Sequence, residues 1–145
     1  MHTRRMGIAL YGLAIVMAPG CSVTVDPGGG GSRSTETLLT RSGVVLTPGQ
    51  LTPFTFEAEA DRLVTISVQA NTDHATPDFV LVAGVVDSAA DITLEEAIIR
   101  TAENRSDGQA VDEFTPATGG SYTLFVEDTS SWPGATFSVL VAQRR

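Results

Sequence analysis

Side chains able to move protons, hold metals or stack on a ligand are few in this chain, and they fall in its polar stretches. The one histidine beyond the N-terminal segment, His74, sits in Asn71-Thr72-Asp73-His74-Ala75-Thr76-Pro77-Asp78. Beside a carboxylate it could serve as the general base of a small hydrolase. Nucleophilic catalysis also needs a nucleophile presented to that base, and no Gly-x-Ser-x-Gly elbow occurs anywhere in the sequence. A lone histidine in such a stretch is far more often a solvated turn residue, so the reading is no enzyme. Zinc asks for three or four His, Cys or carboxylate ligands, and beyond residue 20 the chain offers only His74 and Cys21 of the first two kinds.

Calcium needs only oxygens, six to eight of them, and acidic loops at one end of a β domain can supply them. Asp73 and Asp78 are expected in one loop, Asp107 with Asp112 and Glu113 around another, and Asp128 with Glu127 at the end of a strand. None has the spacing of a known calcium loop. Solvated carboxylates and no cofactor are therefore expected, with Asp73, Asp78, Asp107 and Asp128 as the metal candidates if calcium is bound. Trp132, the single tryptophan, lies in a polar turn. Its ring could stack on a sugar, or fold back to cover the end of a core.

The elements around these residues begin with an export segment. Residues 1–20 carry Arg4 and Arg5, an apolar run from Ile8 through Ala18, then small residues, the three-part layout of a secretory signal. The run is shorter than the ~20 apolar residues a permanent span needs. Ala18-Pro19-Gly20-Cys21 resembles the lipobox of bacterial lipoproteins, with Gly20 fitting well and Ala18 and Pro19 departing from the usual leucine and small residue. The resemblance implies cleavage before Cys21 and lipidation of its thiol, palmitate-type acyl chains included. An exported chain with one cysteine cannot close a disulfide within itself, and lipidation accounts for that cysteine better than a free thiol does. Residues 21–34, with glycines at 28–31, read as a tether whose ~13 flexible residues reach on the order of 20 Å.

Loss of the signal, with Arg4 and Arg5, leaves seven arginines against 17 acidic residues and no lysine, a net charge of −10. Such a surface repels phosphate backbones and anionic headgroups, so nucleic acid is excluded as a partner. The membrane is met through the lipid instead. Localisation is expected at the cell envelope, on an outer membrane or the cell surface rather than free in a periplasm.

From about Thr35 the apolar pattern has mostly period two, broken by turn residues every eight to twelve positions, which predicts an all-β domain over 35–145. Residues 50–58 place Phe54, Phe56 and Ala58 on one face; residues 62–70 do the same with Val64, Ile66, Val68 and Ala70, and Glu59-Ala60-Asp61 between them reads as a hairpin turn. Residues 79–86 are apolar on both parities, as in a strand covered on both faces. Residues 121–128 set Tyr122, Leu124 and Val126 against Thr123, Phe125 and Glu127, and residues 135–142 point Phe137, Val139 and Val141 inward. Residues 111–115 make a short strand. Residues 94–102 fit a helical stripe through Leu94, Ile98 and Ala102 or a short strand, the strand being preferred. The sum is a single antiparallel β-sandwich, jelly-roll-like, of seven to eight strands.

The order "PFTFEAEADRLVTISVQA", "PDFVLVAG", "GGSYTLFVED" and "GATFSVLVAQ", over residues 50–142, resembles the bacterial pre-peptidase C-terminal domain. That family turns an aromatic-rich strand through a Gly-Asp pair into an alternating strand; here Ala60 precedes Asp61. Gly120, Tyr122, Leu124 and Val126 match its later Gly-x-Tyr-x-Leu-x-Val strand. The resemblance implies a β-sandwich and an accessory, non-catalytic module, in some relatives a binder of calcium, polysaccharide or protein. No peptidase accompanies it here. A membrane-tethered binding module with a protein or polysaccharide partner is the expectation, against a calcium- or carbohydrate-binding accessory domain and a small envelope hydrolase acting through His74.

Overall fold

The computed structural model describes residues 34–93, 97–99, 105–106 and 108–145. The signal at 1–20, Cys21, the tether up to Arg33, Asp107, Leu94 and Ala102 lie outside the described residues.

Nine strands are formed among the described residues: β1 Thr35–Val45, β2 Thr52–Ala58, β3 Val64–Ala70, β4 Pro77–Ala83, β5 Ala97–Ile99, β6 Arg105–Ser106, β7 Gln109–Phe114, β8 Gly120–Asp128 and β9 Thr136–Arg144. They build two sheets, one in the order β1-β9-β3-β7-β6 and the other β2-β8-β4-β5, with every pairing antiparallel. The chain is thus an all-β antiparallel sandwich. Its core lies where the inward parities meet: Val64, Ile66 and Val68 of β3 and Phe137, Val139 and Val141 of β9 face Phe56, Phe79, Leu81, Leu124 and Val126 of the other sheet. The alternation that reads as a strand is the same alternation that fills this layer. Between 94 and 102 the described part, Ala97–Ile99, is a strand paired with β4, so β4 lies inside its sheet between β8 and β5.

Three expectations are corrected. Glu59-Ala60-Asp61 does not close a hairpin, because β2 pairs with β8 while β3 pairs with β7 and β9. The turn carries the chain from one sheet to the other. Asp61 takes the left-handed conformation there (φ 59°), which Asp tolerates better than most residues, and its N–H donates to Pro116 O at 2.8 Å. Two strands also escape periodicity. β1 is shifted in register between Thr37 and Leu39 and again between Arg41 and Val44, and it is largely exposed along a sheet edge, so its apolar residues fall out of strict alternation. β6 spans only two residues.

The third correction concerns β8. Phe125 and Thr123 do not face water: both are fully buried, with Val82 beside them, on the face of the second sheet turned away from the core. The chain after β4 bends back over that face. Thr123 Oγ1 donates to Gly84 O at 2.7 Å and accepts from Val86 N at 3.0 Å. A 3-10 turn at Ala89–Asp91 follows, capped by Ser88, whose Oγ accepts from Ala90 N.

The sandwich has two unlike poles. At one, Ser34 and Thr35 enter beside Arg144 and Arg145, with Arg145 N donating to Ser34 O at 2.8 Å and the Arg145 guanidinium meeting Glu36. Here, at the pole nearest the expected tether (the tether pole), Tyr122 packs on Phe56 and Phe114 and donates its hydroxyl to Thr118 O at 2.7 Å. Gln143, also buried, ties down the turn between the sheets: it accepts from Glu59 N at 3.2 Å and donates to Glu59 O at 2.9 Å. The opposite pole, where β3 and β8 end and β4 and β9 begin, lies about 26 Å away along the nine residues of β9.

Candidate functional site

The far pole is built by two loops, residues 71–76 between β3 and β4 and residues 129–135 between β8 and β9. The first leaves β3 with Asn71 N donating to Thr136 O at 2.7 Å and Asn71 Oδ1 accepting from Ser138 Oγ at 3.1 Å, which fixes its root to the start of β9. It then turns at His74, left-handed at φ 68°, a conformation histidine adopts more readily than most side chains. The second loop turns through Trp132-Pro133-Gly134, with Gly134 at φ 83°, where a side chain would be strained.

These two turns bring His74 and Trp132 together. Their rings stack with centroids 5.7 Å apart and planes inclined by 26°. His74 is exposed, and Trp132 remains 58% exposed, so the indole does not fold back over the core. Aromatic pairs in this offset geometry stabilise one another by about 0.5–1.5 kcal/mol beyond their buried area. The stack therefore restrains an indole that is still more than half exposed.

Asp128 is the tie beneath them. It ends β8, fully buried, and its Oδ1 accepts from Ser130 N at 2.9 Å and from Thr76 N at 3.4 Å, so one carboxylate holds both loops. Its backbone carbonyl also accepts from Gly49 N at 3.0 Å, which brings the turn between β1 and β2 to the same junction. Thr129 reinforces it, donating through N and Oγ1 to Thr76 O at 2.9 and 3.1 Å. Oδ2 is buried and makes no hydrogen bond to the described residues. Replacing Asp128 by Ala removes the acceptor shared by two N–H groups and should destabilise the fold by about 1–2 kcal/mol. Urea unfolding followed by circular dichroism measures this, and a loss below ~0.3 kcal/mol would mean that the loops hold without the tie.

The other carboxylates are dispersed. Asp73 is exposed in the first loop, next to His74. Asp78 does not share that loop: it is buried within β4, its Oδ1 accepting from Phe79 N at 2.9 Å. Among the described residues no three His, Cys, Asp or Glu side chains are grouped so as to hold a metal ion. The pairing of His74 with Trp132 and the role of Asp128 carry no signal in the sequence, because both depend on which loops the topology makes neighbours. Chemically, the arrangement is an exposed aromatic pair carried on two polar loops. It can stack and accept hydrogen bonds.

The sequence matches no protein-family model, and no curated protein matches it. Among solved structures the chain is similar to a pre-peptidase C-terminal domain of collagenase from Bacillus anthracis, at 18% identity over 72% of this chain and 88% of that one, with a TM-score of 0.49. It is also similar to PliG of Aeromonas hydrophila, a periplasmic inhibitor of g-type lysozyme (16% identity, 77% and 86% covered, TM-score 0.44). A third similar structure is CorA, a surface-associated copper-binding protein of Methylomicrobium album BG8 (13% identity, 75% and 92% covered, TM-score 0.44). The assignment of the chain as a β-sandwich rests on its own two sheets.

Proposed function

We propose that this protein is a non-catalytic binding module of the bacterial cell envelope, held to a membrane by lipid on Cys21 and meeting its partner through the far pole. The observation that carries the reading is the exposed Trp132–His74 stack, set on two loops that a buried carboxylate pins together. Tryptophan is among the residues that contribute most at contact sites. The placement supports the same reading. The chain enters the sandwich at the pole opposite the stack, so a flexible tether at 21–34 would attach away from the aromatic face and leave it unobstructed without fixing its orientation. The aromatic pair offers contact surface rather than a positioned acid, base and nucleophile.

Co-sedimentation of the purified, unlipidated mature chain, carrying Cys21→Ser, with isolated envelope fractions tests this. The expected result is that binding weakens at least tenfold in Trp132→Ala and is unchanged in Arg62→Ala, which alters the tether pole. In cells, Cys21→Ser should shift the protein from the membrane to the soluble fraction. Equal binding by the two purified variants, or membrane retention without Cys21, would overturn the proposal.

A further inference from the structure

We infer that the ligand of the far pole is an uncharged glycan, bound with a pyranose ring laid on the exposed ring of Trp132; this rests on the binding-module reading above. Three features of the pole select that chemistry. The first is shape. His74 stacks against the indole at 5.7 Å and 26°, and Trp132 remains 58% exposed, so much of a flat apolar side chain is available to a ligand. A flat face fits the C–H side of a pyranose, which is itself flat and apolar while its hydroxyls project around the edge. An aromatic cage for a quaternary ammonium would need rings facing inward from several sides. These two rings lie parallel.

The second feature is the polarity of the loops. Asn71, Asp73, Thr129 and Ser131 are exposed on the same two loops and carry amide, carboxylate and hydroxyl groups of the kind that bond to sugar hydroxyls. The third is charge. Neither loop, 71–76 or 129–135, contains an arginine, the chain has no lysine, and its net charge is −8. Uronate or phosphate-bearing polymers would meet repulsion with no cation to offset it. An uncharged chain of sugars meets none. A single open ring engages one residue of such a polymer, so binding per molecule is modest and retention depends on many tethered copies meeting one polymer.

Because Trp132 is the only tryptophan, its emission reports directly on the site. The mature protein is titrated with hydroxyethylcellulose and with chitooligosaccharides as neutral probes, and with polygalacturonate as an anionic one. The expected result is a blue shift with a neutral probe and none with polygalacturonate. In affinity electrophoresis, retardation by the neutral probe falls at least tenfold in Trp132→Ala, is largely kept in Trp132→Phe and falls severalfold in His74→Ala, with circular dichroism spectra unchanged. Equal response to polygalacturonate, or retardation that survives Trp132→Ala, overturns the inference. If neutral probes give no response while envelope binding still requires Trp132, the glycan assignment falls and the binding module stands. If envelope binding is also independent of Trp132, both fall.

Discussion

Replacing Phe125 by Ala should lower the free energy of unfolding by about 3–5 kcal/mol, as for other fully buried aromatic side chains. The site makes this informative. Phe125 has the parity that turns away from the main core, in register with Val80 on one side and Pro53 on the other, yet it is 0% exposed. It lies on the same face as Thr123, over which the chain after β4 returns and is fastened by two hydrogen bonds. Were that face wetted, the same substitution would change stability by no more than about 0.5 kcal/mol, the usual range for surface positions. Equilibrium urea unfolding decides between these values. Since small domains are stable by only about 5–15 kcal/mol, the expected loss should be visible as a large drop in the urea midpoint.

Gln143→Leu is expected to destabilise by about 2–4 kcal/mol although it puts an apolar side chain of similar size into a buried position. Gln143 both accepts from Glu59 N and donates to Glu59 O, so the amide satisfies two backbone groups of the chain as it crosses between the sheets. Leucine can replace the packing but neither hydrogen bond, and a group left unpaired loses more than an ordinary hydrogen bond contributes. The same unfolding measurement applies. A neutral or stabilising result would mean that water reaches Glu59 and that the crossing turn needs no internal partner.

Much of the sandwich is legible where one face is wet and one dry. β3 and β9 alternate cleanly, because Thr65 and Ser67 or Ser138 stand between residues of the core. Legibility fails where that condition fails. β8 is covered on both sides, so Thr123 and Phe125 look outward by parity and are nonetheless buried. β1 is bulged, so its parity changes along its length. The turn at Glu59-Ala60-Asp61 has the composition of a hairpin, and composition cannot say which sheet receives the next strand. The candidate site follows the same logic. Trp132, His74 and Asp73 are visible as residue types in polar loops, but their convergence and the tie at Asp128 arise from strand order, which no local pattern encodes.

The pairing of β1 with β9 has a mechanical consequence. β1 begins at the tether pole, whereas β9 begins at the far pole directly after the loop that carries Trp132. Tension between an anchored N-terminus and a ligand gripped at that loop would draw the two strands past each other along their axes. The hydrogen bonds of an antiparallel ladder run across the strands, so such a load falls on the whole row at once instead of peeling it open one rung at a time. With the lipid anchor and ligand proposed above, the connectivity would suit the protein to hold on under load.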